Sequence, residues 1–416
     1  MTVRVVAAPW VLLGAPPRAP VRPGEAEGRA IPDGAVALEG DRVVAAAPRA
    51  EVESRHGRAE ALDAILLPAL VNAHLHLEVS HLAGRVPGGE GLVPWIQGFM
   101  ASRAAAPPEE IAPAMAAGAR ELVEAGVAAV GEVTNTLASL APLAEAGLAG
   151  TLFLEVMGLT PERYGRTLAD ARQALAAATV PPGLRVALSP HAVYSTLPEA
   201  VAALLASGPA SIHLAEDPAE REVTSRGEGP FALLARSVGS EPRAPRARSA
   251  IAAAAAHLRP GHLAVHCVDL DPEDVSALAR SGATVVLCPR SNLHIGGRLP
   301  PLTALLEAGV PLAVGTDSRA STPSLAPLAE LAVLHEAFPR VPAARLLSLA
   351  WNGESVGAPH VGRLAPGSAP GVLALPLDGA PPADPFEHLL SAGGAASPPR
   401  FTWLSRQRPS IQGARA

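Results

Sequence analysis

From Leu66 onward, short apolar runs with few charges alternate with Ala/Leu-rich stretches, and this alternation constrains the fold more than any other feature of the 416-residue chain. Runs that are apolar throughout, rather than at every second residue, belong to strands covered on both faces, as crossover helices cover a parallel sheet. Eight such strands are predicted, at 66–76, 128–133, 151–156, 185–190, 210–214, 262–266, 284–288 and 311–315. Helices are predicted between them at 108–125, 198–207 and 271–281, each opening near a proline or an acidic residue. Eight βα units point to an α/β fold of the (β/α)8 TIM-barrel type. An open doubly wound sheet would show an early Gly-x-Gly-x-x-Gly turn, which is missing.

The flanks read differently. Strands are predicted at 3–13 and 34–44, separated by a turn-rich stretch at 14–34, and turn-and-strand composition returns at 362–377. The expected organisation is a small β-sandwich domain built from both chain ends, residues 1–65 and 359–416, around a barrel at 66–358. Residues 224–248 read as a loop-rich insertion after the fifth strand, and the Pro/Arg-rich segment 391–416 as a tail.

Hydrophobic residues make up 49% of the chain and charged residues 17%, which is ample for a large core. The net charge is −6 and the 33 basic residues form no dense run, so nucleic acid is not an expected partner. All 33 are arginine, and a chain without lysine cannot form a Schiff base, use a phosphate-loop lysine, or bridge two metals with a carbamylated lysine. Cys267 and Cys288 are too few for a disulfide framework and are expected to be buried and reduced. No uncharged, proline-free apolar run reaches the roughly 18 residues that span a bilayer. A cytoplasmic protein without a membrane partner is therefore expected.

The chemistry concentrates at predicted strand ends. In Pro68-Ala-Leu-Val-Asn-Ala-His74-Leu-His76-Leu-Glu78, strand alternation sends His74 and His76 to the same side, where two imidazoles can reach one cation. Strand four ends in Ser189-Pro-His191-Ala-Val-Tyr194-Ser195, strand five in His213-Leu-Ala-Glu216, strand six in His266-Cys267, and strand eight in Gly315-Thr-Asp317. Polar groups gathered at strand C-termini are how barrel enzymes build active sites.

These motifs resemble the amidohydrolase superfamily, within it the mononuclear-metal deaminase branch, over residues 1 to about 378. The resemblance implies that His74, His76, His213 and Asp317 hold one divalent metal ion per chain, Zn²⁺ or Fe²⁺; the binuclear members' carbamylated lysine has no counterpart here. Such a cation brings the pKa of a bound water to around 7. By the same resemblance Glu216, in a His-x-x-Glu motif, is the general acid/base, His266 orients the nucleophile, and Asp317 can accept its proton while ligating.

His76-Leu-Glu78-Val-Ser80, Glu155-Val-Met-Gly158, the strand-four motif, Ala219-Glu-Arg-Glu222 and Cys288-Pro-Arg-Ser-Asn292 are similar to aminofutalosine deaminases and to methylthioadenosine/adenosylhomocysteine deaminases. That likeness implies hydrolytic deamination of an aminopurine nucleoside, 6-amino-6-deoxyfutalosine or another 5′-substituted adenosine, releasing ammonia. Glu78, His191 and Arg290 are then expected as substrate contacts, Arg290 by pairing with a substrate carboxylate. Other amidohydrolase activities on the same metal stand as alternatives: guanine or cytosine deamination, chlorohydrolysis, or an imidazolonepropionase-like ring opening. So does a catalytically silent binding protein. A small molecule is the expected partner, and a homo-oligomer is compatible with the chain.

Overall fold

The computed structural model describes residues 2–14, 30–237, 239–241, 246–395 and 399–406. Parts of the 14–34, 224–248 and 391–416 stretches lie outside these residues. At the amino-terminal end, β1 (Val3–Leu12), β2 (Ala30–Glu39) and β3 (Arg42–Pro48) form an antiparallel meander, to which β4 (Glu60–Ala61) and β5 (Ala64–Pro68) add parallel to β1.

The strand predicted at 66–76 is divided in two. Its first residues belong to β5, and a second strand, β6 (Leu70–Leu75), begins a different sheet after Ala69, whose N–H donates to Gly371 O. Every residue of β5 and β6 is buried, so one unbroken apolar run hides the passage of the chain between two sheets.

Two four-stranded parallel sheets follow. The first is β6, β7 (Val127–Thr134), β8 (Ala149–Val156) and β9 (Leu184–Pro190); the second is β10 (Ala210–Leu214), β11 (His262–His266), β12 (Thr284–Leu287) and β13 (Leu312–Val314). Alternation divides their side chains between two cores. Val71, Ala73, Ala129, Val133, Phe153, Leu263, Val265, Val286 and Ala313 gather in one cluster, which Val356, Ala358 and Val361 join. Their strand neighbours Leu70, Val130, Leu152, Leu154, Ala264, Val285, Leu287 and Val314 belong to a second, larger cluster that includes helix residues such as Leu122, Leu204 and Leu278. Full burial of each such Val or Leu contributes about 1.5–3 kcal/mol, so a slip of one residue in any strand would be costly.

Hydrogen bonds also join the two sheets at both seams. Thr316 N and Asp317 N donate to His74 O, and Asn72 Nδ2 donates to Thr316 Oγ1 at 2.8 Å. At the other seam His213 N donates to His191 O at 2.9 Å. Gly315 makes the first seam possible, because a Cβ there would lie 2.7 Å from both the Cβ and the carbonyl oxygen of His74.

Finally, β14 (Val372–Pro376) and β15 (Thr402–Ser405) complete the terminal sheet, in the order β15-β14-β5-β1-β2-β3 with β4 on β1. Strands from before and after the two parallel sheets thus pair in one seven-stranded sheet. The 224–248 insertion is not the loop expected. It holds the end of the helix Pro218–Arg226 and the helix Pro230–Ser237, whose Phe231, Ala232 and Ala235 are buried. Gly227 there is a left-handed helix cap and Pro230 the first residue of the next helix, positions where both residue types favour helix boundaries. No helix among the described residues is long and apolar enough to cross a membrane.

Candidate metal centre and cleft

The His-x-His pair lies at the carboxyl end of β6, with His74 in the strand and His76 just beyond it. Their rings are 4.9 Å apart and edge to face, as expected for side chains that leave the backbone on one side. Across the seams come His213 from β10 and Asp317 from the turn after β13. His76 Nε2 lies 3.3 Å from His213 Nε2 and 3.4 Å from Asp317 Oδ1, and His74 Nε2 lies 3.6 Å from Asp317 Oδ1. His266, at the end of β11, falls in a cluster with His74 and Asp317.

These residues fit a divalent cation on three counts. Two donors each about 2.1 Å from an ion at tetrahedral angles lie roughly 3.4 Å apart, the spacing seen here. His74 is fully buried, yet neither ring nitrogen has a hydrogen-bond partner, a cost that a bound ion would remove. His213 Nδ1 donates to His191 O at 3.0 Å, which leaves its Nε2 lone pair facing the cluster. Burial lowers the pKa of His74, His76 and His213, that of His76 to about 3, so all three are neutral and in their ligating form. For Asp317 burial acts in the opposite sense, but His74 and the neighbouring imidazoles outweigh it and hold the carboxyl well below its usual range. Ser291 and Ser321 hydroxyls donate to its Oδ2 at 2.6 and 2.9 Å, orienting the other oxygen toward the histidines.

Glu216 follows β10 after Ala215, and its Oε2 lies 3.5 Å from His266 Nε2. Burial, with Asp317 and Asp217 nearby, pushes its carboxyl well above the ordinary range. His266 Nδ1 pairs with Asn292 Oδ1 at 2.9 Å, so that nitrogen carries the proton and Nε2 can accept one.

The cluster opens into a cavity of about 600 Å³. Aromatic rings form its walls, with Trp95 stacked on Phe99 and Tyr194 on Phe231. His191 also lines it, its Nδ1 paired with Ser195 Oγ at 2.6 Å and its pKa lowered to about 4 by burial and then by His266 and His74.

Two expected substrate contacts lie elsewhere. Glu78 does not line the cavity; its carboxylate accepts hydrogen bonds from Thr134 Oγ1, Thr136 Oγ1 and the N–H groups of Asn135, Thr136 and Ala138. It organises the loop after β7 and has little capacity left for a ligand. Arg290 is also outside the cavity, turned to Ser324 Oγ at 2.8 Å and to the buried Glu330 at 3.7 Å. The family likeness implies contacts from both residues, but sequence does not show which way a loop side chain turns.

Other polar residues reach the site although the sequence assigns them no role in it. Glu155, in β8, lines the cavity with Oε1 3.6 Å from His213 Nδ1, and burial raises its pKa to about 8. A lone acid inside the apolar run Thr151-Leu-Phe-Leu-Glu155-Val was the available signal. Glu132 is fully buried and accepts the Leu77 N–H just past His76. Ser291 and Asn292 stood in a motif noted only for its family likeness. Arg103 and Arg163 line the cavity, and neither has an ion-pair partner among the described residues.

The amidohydrolase family model matches residues 65–392. Aminodeoxyfutalosine deaminase of Deinococcus radiodurans is 32% identical over 335 residues, covering 74% of this chain and 77% of that protein. A 5-methylthioadenosine/S-adenosylhomocysteine deaminase of Nitratidesulfovibrio vulgaris is 28% identical over 391 residues, 87% of this chain and 84% of that one. Among solved structures, Helicobacter pylori aminofutalosine deaminase in complex with methylthio-coformycin superposes with a TM-score of 0.80 at 20% identity, covering 95% of this chain and 97% of that one. A zinc-bound adenosine deaminase of Xanthomonas campestris gives 0.71 at 22% identity, covering 98% and 94%. At such identities these two structures bear on the fold alone.

Proposed function

Since this chain belongs to the amidohydrolase family, we propose that it is a metal-dependent aminohydrolase that removes the 6-amino group of an adenine nucleoside extended at its 5′ position. 6-Amino-6-deoxyfutalosine is the favoured substrate, with methylthioadenosine or adenosylhomocysteine as the nearest relatives. The observation that carries this reading is the meeting of His74, His76, His213 and Asp317 beside Glu216, at the base of a large aromatic-walled cavity. The relatives named above support the substrate class.

In that reading the eight parallel strands form one (β/α)8 barrel, with the terminal sheet as its accessory domain. A divalent cation, Zn²⁺ or Fe²⁺, held by the three imidazoles and Asp317 supplies Lewis acidity that activates water at neutral pH. The protein's own groups handle the protons. Deamination forms a C6–O bond, breaks the C6–N bond, and delivers protons to the ring nitrogen and to the departing amine. Glu216, whose burial favours the protonated carboxyl, can donate to the ring nitrogen and then carry a proton to the leaving group. His266 Nε2, kept as an acceptor by the Asn292 contact, orients the attacking oxygen. His191 faces the base and the aromatic rings exclude water around it. The role expected of Arg290 passes to Arg103 and Arg163, guanidiniums at the cavity wall that have no ion-pair partner among the described residues and can meet a carboxylate on the 5′ extension.

The test is ammonia release by the metal-loaded chain on 6-amino-6-deoxyfutalosine, methylthioadenosine, adenosine, guanine and cytosine. The two 5′-extended nucleosides should show the highest kcat/KM, because remote binding energy positions C6 for attack. Preference for guanine or cytosine would reject the substrate class.

A further inference from the structure

The motif Ala219-Glu-Arg-Glu222 has no part in the chemistry above, although its helix begins two residues after Glu216. Asp217 caps that helix, Pro218–Arg226, by accepting from Ala219 N at 2.8 Å. Its first turn folds back on the residues before it. Glu220, 0% exposed, accepts from Glu216 N at 2.7 Å through Oε1 and from Ala215 N at 3.0 Å through Oε2. Ala215 needs such a hold, because its φ of +52° is a left-handed conformation that side chains other than glycine disfavour by about 1–2 kcal/mol.

The same turn is tied to the backbone that carries His266. Val268 N and Asp269 N both donate to Ala215 O at 2.8 Å, and His266 and Cys267 are themselves left-handed, with φ of +72° and +52°. Arg221, next to Glu220, donates to Asp269 Oδ2 at 2.7 Å, Asp271 Oδ2 at 3.2 Å and Asp274 Oδ2 at 3.0 Å. Glu216 and His266 therefore stand on two strained turns that are hydrogen-bonded to each other, and Glu220 clamps one of them from beneath.

We propose that Glu220 is a positioning residue that fixes the Ala215–Glu216 turn, so that the Glu216 carboxyl stays opposite His266 Nε2. This rests on the assignment of Glu216 as the proton carrier. A carboxylate can accept both N–H groups at once, whereas a glutamine has one oxygen and must turn its NH₂ toward a donor. Glu220→Gln should therefore release the turn while leaving the helix and the histidine cluster in place. Misplacement of a proton carrier by about 1 Å can cost on the order of 10²-fold.

The experiment compares wild type, Glu220→Gln, Glu216→Gln and the double variant, all metal-loaded, with methylthioadenosine as probe. Glu220→Gln should lower kcat by 10- to 100-fold with KM within about twofold and metal content unchanged, and should cost under twofold once Glu216 is already glutamine. An equal penalty in both backgrounds, or loss of metal alongside turnover, overturns the proposal. Amide hydrogen exchange provides a readout independent of substrate: at Ala215 and Glu216 it should speed up at least tenfold in Glu220→Gln and stay unchanged along β10. Unaltered exchange at those two amides also overturns it. Glu220→Asp, too short to reach both donors, should act in the same direction and serves if the glutamine variant does not fold. A wild-type chain that releases no ammonia counts against the proposed function, and the exchange result then decides the clamp by itself.

Discussion

The two parallel sheets build the site in different ways. The β6–β9 sheet presents its groups from extended backbone: His74 lies inside β6, Glu132 inside β7 and Glu155 inside β8. The β10–β13 sheet presents most of its groups where the backbone turns left-handed at or beyond strand ends, at Ala215, His266, Cys267 and Asp317. An extended strand aims its side chains by its own period of two. A left-handed residue other than glycine costs about 1–3 kcal/mol and persists only where the surroundings hold it. Those holds are visible: His74 O accepts from Asp317 N, and Glu220 accepts from Ala215 N. One half of the site is thus set by strand geometry and the other by hydrogen bonds that hold its turns.

The largest expected effect ignores this contrast, because both sheets contribute to one cation site. His74→Ala from the first sheet and Asp317→Ala from the second should each abolish stable metal binding and turnover. Elemental analysis of the purified variants checks this, and retention of one tightly bound metal by either would remove that residue from the set.

The next effect separates the halves. Glu216→Gln should keep the metal and the fold but lose about 10²- to 10⁴-fold in kcat, the usual contribution of a general acid/base. A rate near wild type would mean that a group on the first sheet, with Glu155 the foremost candidate, moves the protons.

A smaller effect belongs to the cavity wall near the first sheet. Arg103→Leu should lower kcat/KM for 6-amino-6-deoxyfutalosine by roughly tenfold, in line with about 1.5 kcal/mol for a charge-assisted hydrogen bond, and hardly change it for methylthioadenosine. Arg290→Leu should leave the ratio of the two unchanged, because its guanidinium is turned to Ser324 and Glu330. An altered ratio in Arg290→Leu alone would restore that residue as the reader of the carboxylate.

The smallest effect lies behind the second sheet. Burial outweighs the opposing field of Arg290 and raises the Glu330 pKa to about 8. Between the ordinary value of 4.5 and about 8 the folded chain holds a proton there that the unfolded chain has released. Glu330 therefore stabilises fully below about pH 4.5, and that stabilisation is lost as pH rises through 8. Glu330→Gln should remove up to about 1.4 kcal/mol per pH unit from the decline of unfolding free energy across this window, measured by denaturant titration at pH 5, 6.5 and 8. Parallel curves would show that Glu330 ionises normally.

Whatever depends on local periodicity and on residue chemistry is legible in the chain alone. Apolar runs placed seven of the eight parallel strands within a residue or two of their ends. The His-x-His pair and the His-x-x-Glu spacing identified groups that the fold brings within a few ångströms of one another. Tertiary structure decided the rest. The division of 66–76 between two sheets is silent in sequence, because both pieces are fully buried and the residues around the break, 66–71, carry no polar side chain. The turning of Glu78 into a loop and of Arg290 toward Glu330 depends on partners 56 and 40 residues away along the chain. The left-handed residues that aim Glu216, His266 and Asp317 are not glycines that would announce them; their strain is offset by hydrogen bonds that form only in the folded chain, from Asp317 N to His74 O across the two sheets and from Val268 N and Asp269 N to Ala215 O within one.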